Sequence, residues 1–462
     1  MAISQILETQ RAWLASGKSR ALKDRRDTLR AFAAAMDRHE AELLDALRAD
    51  LRKSPLEAYT SEIRMVRDEL FHVLRHLKGW MKPQRRPVPL LAWPGRAKVI
   101  REPCGSVLII GPWNYPVHLM LTPLVGALGA GNTAVLKPSE LAPETSAALT
   151  RLIADAFDPA QVAVVEGGAE IGESLASEPF DHIFFTGGIA TGRKILTAAA
   201  DKLVPVTLEL GGKCPALIFP GPGERERLLG QMDVIARRLA WGKYLNAGQT
   251  CVAPDYVMVE QSLHEPLVAA LAKAFESFGV GELGKIVNRR HFDRVLRFLA
   301  DGRIAHGGKH DPETLTIEPT ILLDLPPDSP SLQEEIFGPI LPVVACANLD
   351  QALEQFHSQP PPLAIYAFTS DEAVRAKIVS DTVSGGVCFN DTVVHIASPA
   401  LPFGGVGASG MGRYRGKASF DTFTRERVVM SRHLWPDLKF RYPPATATVE
   451  RLRNFFRFIE RH

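Results

Sequence analysis

The sequence is poor in cysteine, with five in 462 residues, and that count is odd. None of the five forms a CxxC pair, and no Cys/His cluster has the spacing of a zinc site. These absences argue against a disulfide framework and against a structural metal centre, so no metal is expected. Reduced thiols suit the cytoplasm, which is the predicted location.

The chain also has little excess of charge, because 54 basic residues stand against 52 acidic ones and the formal net charge is +2. This balance gives no electrostatic reason to expect nucleic acid as a partner. Near the N-terminus, Glu8 and Arg11 precede any apolar run that could serve as a signal peptide.

Long hydrophobic runs are scarce as well. The longest uncharged stretch, 118–136, contains Pro123, Asn132 and three glycines. We therefore predict a buried helix and a turn leading into a strand there, and not a membrane span.

The length of the chain is sufficient for two or three domains, since 462 residues exceed one ordinary core. Apolar residues recur three, four or seven positions apart over 28–54 and 61–82, which predicts two amphipathic helices. Four prolines between residues 83 and 94 then interrupt helix formation and indicate a linker or an extended edge segment.

The pattern next changes to short apolar strands that alternate with helical segments. The predicted strands are 107–110, 134–137, 162–165, 182–185 and 206–210. Helical patterns lie between them, for example at 143–157 and 190–200, and repeated strand–helix units predict a parallel, doubly wound sheet. A helix over about 224–245 leads into a second α/β region that ends near residue 390. Such sheets bind ligands beyond the carboxyl ends of their strands.

The clearest chemical signal is a cysteine that ends the run NAGQTC (246–251), after the predicted helix. Glycine in this run lets the backbone approach a ligand, and a thiolate can add to a carbonyl carbon. The run LELGGK (208–213) supplies Glu209, whose carboxylate can prepare the thiol or a water molecule for the next step. The other four cysteines have apolar or proline neighbours and are interpreted as inert small hydrophobes.

Two further runs are typical of a nucleotide site. The predicted strand 182–185 leads into TGGIATGRK (186–194), a glycine turn that opens a helix, and amides at a helix start suit a pyrophosphate. Lys137 and Glu140 follow another strand, where an adenosine ribose would lie, and a carboxylate there favours NAD over NADP. Each run also has a simpler interpretation, because the turn is not GxGxxG and a Lys–Glu pair after a strand is commonly solvated surface.

A loop after the first predicted strand offers a hydrogen-bond donor. In the run GPWNYP (111–116), Asn114 presents an amide N–H₂ on a segment bracketed by proline. Such a donor can stabilise the oxyanion that forms when a thiolate attacks a carbonyl. The commoner role of asparagine between glycine and proline is to cap local backbone, and both interpretations stay open at this point.

The order of these motifs resembles that of the aldehyde dehydrogenase superfamily. The runs that carry the resemblance are GPWNYP, KPSE, FTGG, LELGGK, NAGQTC, QEEIFGP (333–339) and PFGGVGASGMG (402–412), which extend over essentially the whole chain. The stretch NAGQTCVAPDY (246–256), with FDTFT (420–424) and RYPP (441–444), is most similar to the class 3 branch.

The resemblance implies a role for individual residues. Cys251 would be the nucleophile and Glu209 the general base, and the Asn114 side chain with the Cys251 backbone N–H would form the oxyanion hole. The residues expected to hold NAD, with NADP also accepted, are Trp113, Lys137, Glu140, Thr186, Gly187, Gly188, Gly192, Glu335 and Phe337. Tyr115, Trp241 and His395 are expected to line the substrate pocket.

The resemblance also implies a fold: a Rossmann-like doubly wound cofactor domain, a second α/β catalytic domain and a small β bridging element. The expected boundaries are 1–82 and 104–210 for the cofactor domain, 211–400 for the catalytic domain, 83–103 and 413–445 for the bridging, oligomerising element, and 446–462 for a C-terminal amphipathic helix. Class 3 relatives usually dimerise through their bridging elements, so a homodimer is expected.

The implied activity is NAD(P)-dependent oxidation of medium- to long-chain aliphatic or aromatic aldehydes to carboxylic acids, through a cysteine thiohemiacetal and thioester. A CoA-acylating aldehyde dehydrogenase is one alternative, but that chemistry does not need a water-activating carboxylate at Glu209. A cysteine hydrolase or acyltransferase would leave the nucleotide-type turn and Glu335 unexplained. A non-catalytic protein would not need the intact set of catalytic residues.

The C-terminal segment has an amphipathic pattern. Its apolar face consists of Val449, Leu452, Phe455, Phe456 and Ile459, and its arginines are Arg451, Arg453, Arg457 and Arg461. A basic amphipathic helix can lie on an anionic membrane surface. Packing on the protein's own surface is the favoured interpretation, and peripheral membrane contact is the alternative.

Overall fold

The computed structural model describes residues 3–89, 92–437, 442–443 and 448–460, which form two compact units. The larger unit holds the chain up to Trp80 together with Pro103–Thr424. The smaller unit holds Met81–Glu102 and the chain after Thr424.

The first sheet of the larger unit has six strands among the described residues. Their order is Gly410–Met411, Val206–Leu210, His182–Gly187, Ser106–Ile110, Thr133–Lys137 and Val162–Val164. Neighbouring strands are parallel except for the edge strand Gly410–Met411, which runs antiparallel. Ser106–Ile110 and Thr133–Lys137 are buried along their whole length, as central parallel strands require. This sheet confirms the predicted doubly wound α/β fold, with small shifts at strand ends.

The second sheet of the larger unit has seven strands in the described part of the chain. Their order is Arg303–His306, Thr320–Leu323, Ile340–Cys346, Tyr256–Glu260, Pro215–Ile218, Ala364–Phe368 and Gly386–Phe389. Only the first pair is antiparallel. A separate hairpin joins His310–Asp311 to Thr316–Ile317. The second predicted α/β region, ending near residue 390, is therefore present.

Helices surround both sheets. The α-helices of the larger unit are Ile3–Ala15, Leu22–Arg38, Glu40–Leu51, Pro55–Ala58, Arg64–Trp80, His118–Ala130, Pro143–Ala156, Ala169–Ala176, Ile189–Ala200, Arg225–Gly230, Met232–Tyr244, Gln261–Phe278, Arg289–Arg297, Pro330–Gln333, Leu349–His357, Glu372–Asp381 and Lys417–Thr422. A π-helical turn spans Tyr59–Ile63, and 3₁₀ turns span Leu245–Gly248, Phe298–Ala300, Val394–Ala397 and Gly407–Ser409.

Three predicted helices have wrong boundaries. The segment 28–54 is two helices that meet at His39, and apolar residues keep their phase across this break, so periodicity does not detect it. The segment 224–245 is likewise interrupted at Gln231, directly after Gly230, which is a poor helix former. The helix predicted for 61–82 ends at Trp80, since Pro83 disfavours helical backbone in the residue before it.

The long uncharged stretch 118–136 folds as predicted. It forms a buried helix that stops at Gly131, where φ is +93°, and then a strand of the first sheet. Within the described ranges, no helix is both long enough and apolar enough to cross a membrane.

The smaller unit is built on a three-stranded sheet in the order Gln84–Arg86, Arg96–Pro103 and Thr424–Ser431. Ion pairs of 2.7 Å and 3.0 Å join Arg101 to Glu426 and Glu102 to Arg427. The C-terminal helix spans Val449–Glu460. The exposed apolar side chains of this helix include Val449, Leu452 and Phe456. Arg461, and Arg441 with Pro444 of the RYPP run, lie outside the described residues.

Candidate active site

The carboxyl ends of the first-sheet strands border a cavity of about 260 Å³, named here the polar cavity. The predicted site residues that line it are Trp113, Asn114, Thr186, Gly187, Gly188, Glu209, Cys251, Glu335 and Phe337. The parallel register places Thr186 beside Glu209 on adjacent strands. Residues that are far apart in the sequence thus meet at one edge of the sheet, where open α/β sheets bind ligands.

The cysteine loop is held in an unusual backbone conformation. After the helix Met232–Tyr244, Asn246, Ala247 and Gly248 all have positive φ, at 50°, 52° and 74°. Only glycine fits the last position, because a Cβ there would lie 2.1 Å from the carbonyl oxygen of Gly338. The Gln249 side chain closes the loop by donating to the carbonyl oxygens of Asn246 and Lys285, at 2.9 Å and 3.0 Å.

The environment of the Cys251 thiol favours its protonated form. Burial raises its pKa to about 12, and the nearby carboxyl groups of Glu335 and Glu209 add to the effect. The thiolate is the nucleophilic form of cysteine, so any attack by Cys251 would require loss of this proton. Two carboxyl groups, those of Glu209 and Glu335, line the same cavity.

Glu209 lies near the end of its strand with a buried side chain. Burial raises its pKa well above the ordinary value, and Arg413 opposes this shift only in part. Neither carboxyl oxygen has a hydrogen-bond partner among the described residues. A buried polar group without a partner is costly, so such a carboxyl in a cavity wall is suited to bind a substrate or a water molecule.

Glu335 is placed by its backbone neighbours. The Arg294 guanidinium donates to the carbonyl oxygens of Glu335 and Ile336, at 3.1 Å and 2.6 Å. A Cβ on Gly211 would lie 2.2 Å from Glu335 Oε2, so glycine makes room for this carboxyl. Burial raises the pKa of Glu335 to about 8, and Oε1 has no hydrogen-bond partner in the described chain.

Asn114 also lines the polar cavity. Its Nδ2 donates one hydrogen bond of 3.0 Å, to the carbonyl oxygen of Gln249 in the cysteine loop. An amide nitrogen carries two N–H bonds, so the second one is available to a ligand in the cavity. Trp113 and Phe337 form another part of the wall, with an edge-to-face contact at 5.5 Å.

The glycine turn presents backbone to the polar cavity. Gly188 caps the helix Ile189–Ala200, and a Cβ on Gly188 would meet no atom within 4 Å, so the backbone amides there are open to a ligand. The hydroxyl of Thr186 is buried without a hydrogen-bond partner among the described residues. An amide-rich helix start, an orphan hydroxyl and the orphan Glu335 oxygen together fit the diphosphate and ribose of a dinucleotide.

Three residues expected to hold the cofactor do not line the polar cavity. Gly192 faces the sheet, where a Cβ would lie 2.7 Å from Leu210 Cδ2, so this glycine serves close helix–strand packing. Lys137 ends its strand and binds Glu140 through a 2.7 Å ion pair, and neither residue lines the polar cavity.

A second cavity, of about 240 Å³ and named here the apolar cavity, adjoins the cysteine loop. Tyr115 and Trp241 line it as expected, together with apolar residues that include Met65, Leu119, Leu245, Val252, Val393, Ile396 and Phe403. His395 does not line it: the ring packs against Tyr366 at 5.9 Å, while the flanking Val394 and Ile396 face the cavity. Cys251 lines both cavities, so the thiol lies where the polar and apolar spaces meet.

A thiol between a dinucleotide-type turn and an apolar cavity is the arrangement that the sequence motifs implied, and comparison with known proteins agrees. The model of the aldehyde dehydrogenase family matches residues 2–429. The chain belongs to the aldehyde dehydrogenase family.

Several relatives are similar over nearly their whole length. The 4,4'-diaponeurosporen-aldehyde dehydrogenase of Staphylococcus aureus is 39% identical, over 98% of this chain and 99% of its own. The mouse (Mus musculus) dimeric NADP-preferring aldehyde dehydrogenase is 40% identical, over 97% and 99%. Aldehyde dehydrogenase family 3 member F1 of Arabidopsis thaliana is 41% identical, over 96% and 93%, so the resemblance to class 3 is confirmed.

Solved structures agree with the fold of this aldehyde dehydrogenase. The substrate-bound state of Staphylococcus aureus AldH superposes with a TM-score of 0.93 at 38% identity, covering 99% of this chain and 100% of that one. An indole-3-acetaldehyde dehydrogenase in complex with NAD⁺ gives a TM-score of 0.85 at 26% identity, covering 93% and 88%.

Sequence reasoning missed the buried charges that support the site of this aldehyde dehydrogenase. Asp255 binds Lys213 at 2.5 Å and Lys243 at 3.4 Å, and it accepts a hydrogen bond from the Ile336 N–H at 3.2 Å. This group ties the strand end after Glu209 to the segment that carries Glu335. Asp255 and Lys213 lie inside the quoted motifs, but their types alone do not distinguish a buried pair from a solvated surface.

Proposed function

We propose that this aldehyde dehydrogenase oxidises aldehydes to carboxylic acids with NAD(P), through a thiohemiacetal and a thioester on Cys251. The observation that carries the proposal is the position of Cys251 at the junction of the polar and apolar cavities. An aldehyde in the apolar cavity presents its carbonyl carbon to the sulfur, while the polar cavity holds the groups that handle charge and protons.

The first step is the attack of sulfur on the carbonyl carbon. The thiol first gives its proton to solvent, because the thiolate is the nucleophilic form of cysteine, and this is the proton that the overall oxidation releases. The C=O π electrons move to oxygen as the C–S bond forms. The free N–H of Asn114, with the Cys251 backbone N–H, stabilises the resulting oxyanion.

The dinucleotide site would be formed by the glycine turn and by Glu335. The Gly187 and Gly188 amides would hold the diphosphate, and the Glu335 carboxyl would accept hydrogen bonds from a ribose hydroxyl. Trp113 and Phe337 would pack beside this group, and the Lys137–Glu140 pair would bind the adenosine ribose. A cofactor bound there would supply the hydride acceptor, and loss of hydride from the thiohemiacetal carbon would leave a thioester.

Hydrolysis of the thioester completes the cycle. Glu209, in its carboxylate form, takes a proton from water as the water oxygen attacks the thioester carbonyl. The C–S bond then breaks to release the acid, and the thiolate takes the proton back from Glu209, which restores the thiol and the carboxylate. The unpartnered oxygens of Glu209 leave room for this water, which supports hydrolysis over transfer to CoA.

The apolar cavity supports medium- to long-chain aliphatic or aromatic aldehydes as substrates. The cavity has a volume of about 240 Å³ and walls that are mostly apolar. Burial of each CH₂ group of a substrate contributes roughly 0.8 kcal/mol to the free energy of binding. Initial rates over a homologous series of aldehydes, with NAD and with NADP, test this specificity. Rates that fall with each added CH₂ group would contradict it.

Replacement of the nucleophile tests the reaction itself. We expect Cys251→Ala to lower aldehyde-dependent NAD(P)H formation by about 1,000-fold or more, while cofactor binding, followed by quenching of tryptophan fluorescence, persists. Cys388→Ala is the matched control, since Cys388 lines neither cavity, and it should retain activity. Normal turnover by the Cys251→Ala variant would contradict the assignment of Cys251 as the nucleophile.

A further inference from the structure

A buried ion pair lies beneath the loop that carries Asn114. The Lys53 Nζ atom is 2.6 Å from Glu62 Oε1, and both side chains have 0% exposure. Lys53 precedes the short helix Pro55–Ala58, and Glu62 belongs to the π-helical turn Tyr59–Ile63. Neither residue lines the polar or the apolar cavity, so neither contacts a substrate there.

This pair holds the backbone on both sides of Asn114. The Lys53 ammonium donates a second hydrogen bond, of 2.8 Å, to the Asn114 carbonyl oxygen. Glu62 Oε2 accepts from the backbone N–H groups of Val117 and His118, at 3.0 Å and 2.8 Å. The ammonium also lies 3.9 Å from the centre of the Tyr115 ring. Every residue from Asn114 to His118 except Pro116 is therefore in contact with the pair.

The Asn114 carbonyl oxygen also connects the Asn114 loop to the loop that carries Cys251. Asn246, in the left-handed part of the cysteine loop, donates from Nδ2 to the Asn114 carbonyl oxygen at 2.9 Å and to the Gln249 carbonyl oxygen at 3.1 Å. Asn114 Nδ2 also donates to Gln249. Lys53 thus completes a set of hydrogen bonds that fixes the amide of Asn114 relative to Cys251.

A contribution to the stability of the fold does not by itself explain why the Lys53–Glu62 ion pair is buried. Two charges lose their hydration on burial, and well-packed apolar residues commonly replace a buried ion pair without loss of stability. Oxyanion stabilisation, in contrast, depends on donors held within a fraction of an ångström of their working positions. The contacts of the Lys53–Glu62 pair hold the backbone of the loop that carries such a donor, the side-chain amide of Asn114.

We propose that Lys53 and Glu62 are positioning residues, which hold the Asn114 loop so that its side-chain amide meets the oxyanion formed on the substrate. The inference rests on the proposed function, because it assigns a rate effect to a step of that reaction. Both residues act through Asn114 and neither exchanges protons with the substrate.

The test compares rates of thioester formation. The variants are Lys53→Met, which leaves Glu62 without its partner, and Lys53→Met combined with Glu62→Gln, which removes both charges. We expect the pre-steady-state burst of NAD(P)H to slow by roughly 10- to 100-fold in both, with little change in KM, because binding contacts are intact. Arg25→Met is the matched control. Arg25 is also a buried cation that donates to backbone carbonyls, but these are the carbonyls of Ser19 and Gly129 and not that of Asn114. It should lower Tm without slowing the burst.

A double-mutant cycle with Asn114→Ala separates positioning from general damage. If Lys53 acts through Asn114, adding Lys53→Met to Asn114→Ala should change the burst rate by less than about three-fold. Equal slowing by Lys53→Met in both backgrounds would overturn the inference, as would an unchanged burst in folded Lys53→Met. Absence of aldehyde oxidation by the unmodified enzyme is a different result, since it contradicts the proposed function itself.

Discussion

The side chains of Cys251, Glu209 and Glu335 share a cavity in which burial disfavours charge on each of them. Their pKa values are all raised, to about 12 for Cys251 and about 8 for Glu335. Burial therefore favours the neutral form of each of these three side chains. The two carboxyl groups become strong bases once they lose their protons.

At the residue scale, Glu209→Gln should separate the two halves of the reaction. We expect the first turnover to give a burst of NAD(P)H, and steady-state turnover to fall by about 100- to 1,000-fold, since water loses its base. Rapid-mixing absorbance measures both phases. Glu226→Gln, at an exposed carboxylate, should behave like the unmodified enzyme. Loss of the burst with normal thioester hydrolysis would show that Glu209 does not activate water.

A second residue-scale prediction concerns stability and pH. Glu69 is fully buried, 3.6 Å from Arg415 Nε, and burial raises its pKa from 4.5 to about 7. The folded state therefore holds this proton more tightly, and the resulting stability is complete below pH 4.5 and lost as pH rises through 7. The raised pKa contributes about 3 kcal/mol to the free energy of unfolding at low pH.

Glu69→Gln keeps the group neutral at every pH. The Tm of this variant, relative to the unmodified protein, should rise between pH 5 and pH 8. Glu173→Gln, at an exposed carboxylate paired with Lys194, should show no such trend. A Tm difference that stays constant across this range would contradict the pKa direction.

At the element scale, the cysteine loop depends on left-handed backbone at 246–248. The local sequence predicts this conformation only in part: Gly248 and Asn246 are residue types that tolerate positive φ, but Ala247 is not. The loop is stable in this conformation because Gln249 and Asn246 hydrogen-bond to segments such as 285–287 that are adjacent only in the folded chain. Sequence reasoning found the nucleophile here but not the geometry that presents it.

Gly248→Ala tests this loop, with Gly223→Ala as its control. The two glycines have similar φ, +74° and +78°, but a Cβ on Gly223 would meet no atom within 4 Å, whereas one on Gly248 would strike the Gly338 carbonyl. Gly223→Ala should cost about 1 kcal/mol for left-handed backbone and leave kcat unchanged. Gly248→Ala should lower Tm further and reduce kcat at least ten-fold, measured by thermal denaturation and initial rates. Equal changes in Tm and kcat for the two variants would show that the cysteine loop does not depend on the missing Cβ of Gly248.

At the scale of the whole molecule, the smaller unit presents an edge strand to solvent. Thr424–Ser431 lies at one edge of its sheet, and Val428 and Met430 point the same way with exposures of 72% and 49%. The strand is apolar over 428–430, and an exposed apolar edge is a site for pairing with another chain. This observation supports the homodimer that the family resemblance implies.

We expect light scattering to give about twice the chain mass of 50.6 kDa. Val428→Glu combined with Met430→Glu should shift the protein to monomer, because like charges would face each other on the edge strand. Leu203→Glu, at an apolar residue of the larger unit that is 89% exposed, should leave the mass unchanged. A monomeric unmodified protein would contradict the dimer.

The sequence by itself determined the alternation of buried strands and helices, and it identified the reactive residue types, because both are encoded in short local patterns. It did not determine that Glu335 and Glu209 meet Cys251 in one cavity, that Gly192 packs on Leu210, or that His395 lies behind the cavity wall. The sequence also did not predict the buried Lys53–Glu62 pair, because a lysine and a glutamate near each other in a helical region are typical of solvated surface. Only the tertiary structure decided these points, because burial and proximity arise from contacts between distant segments.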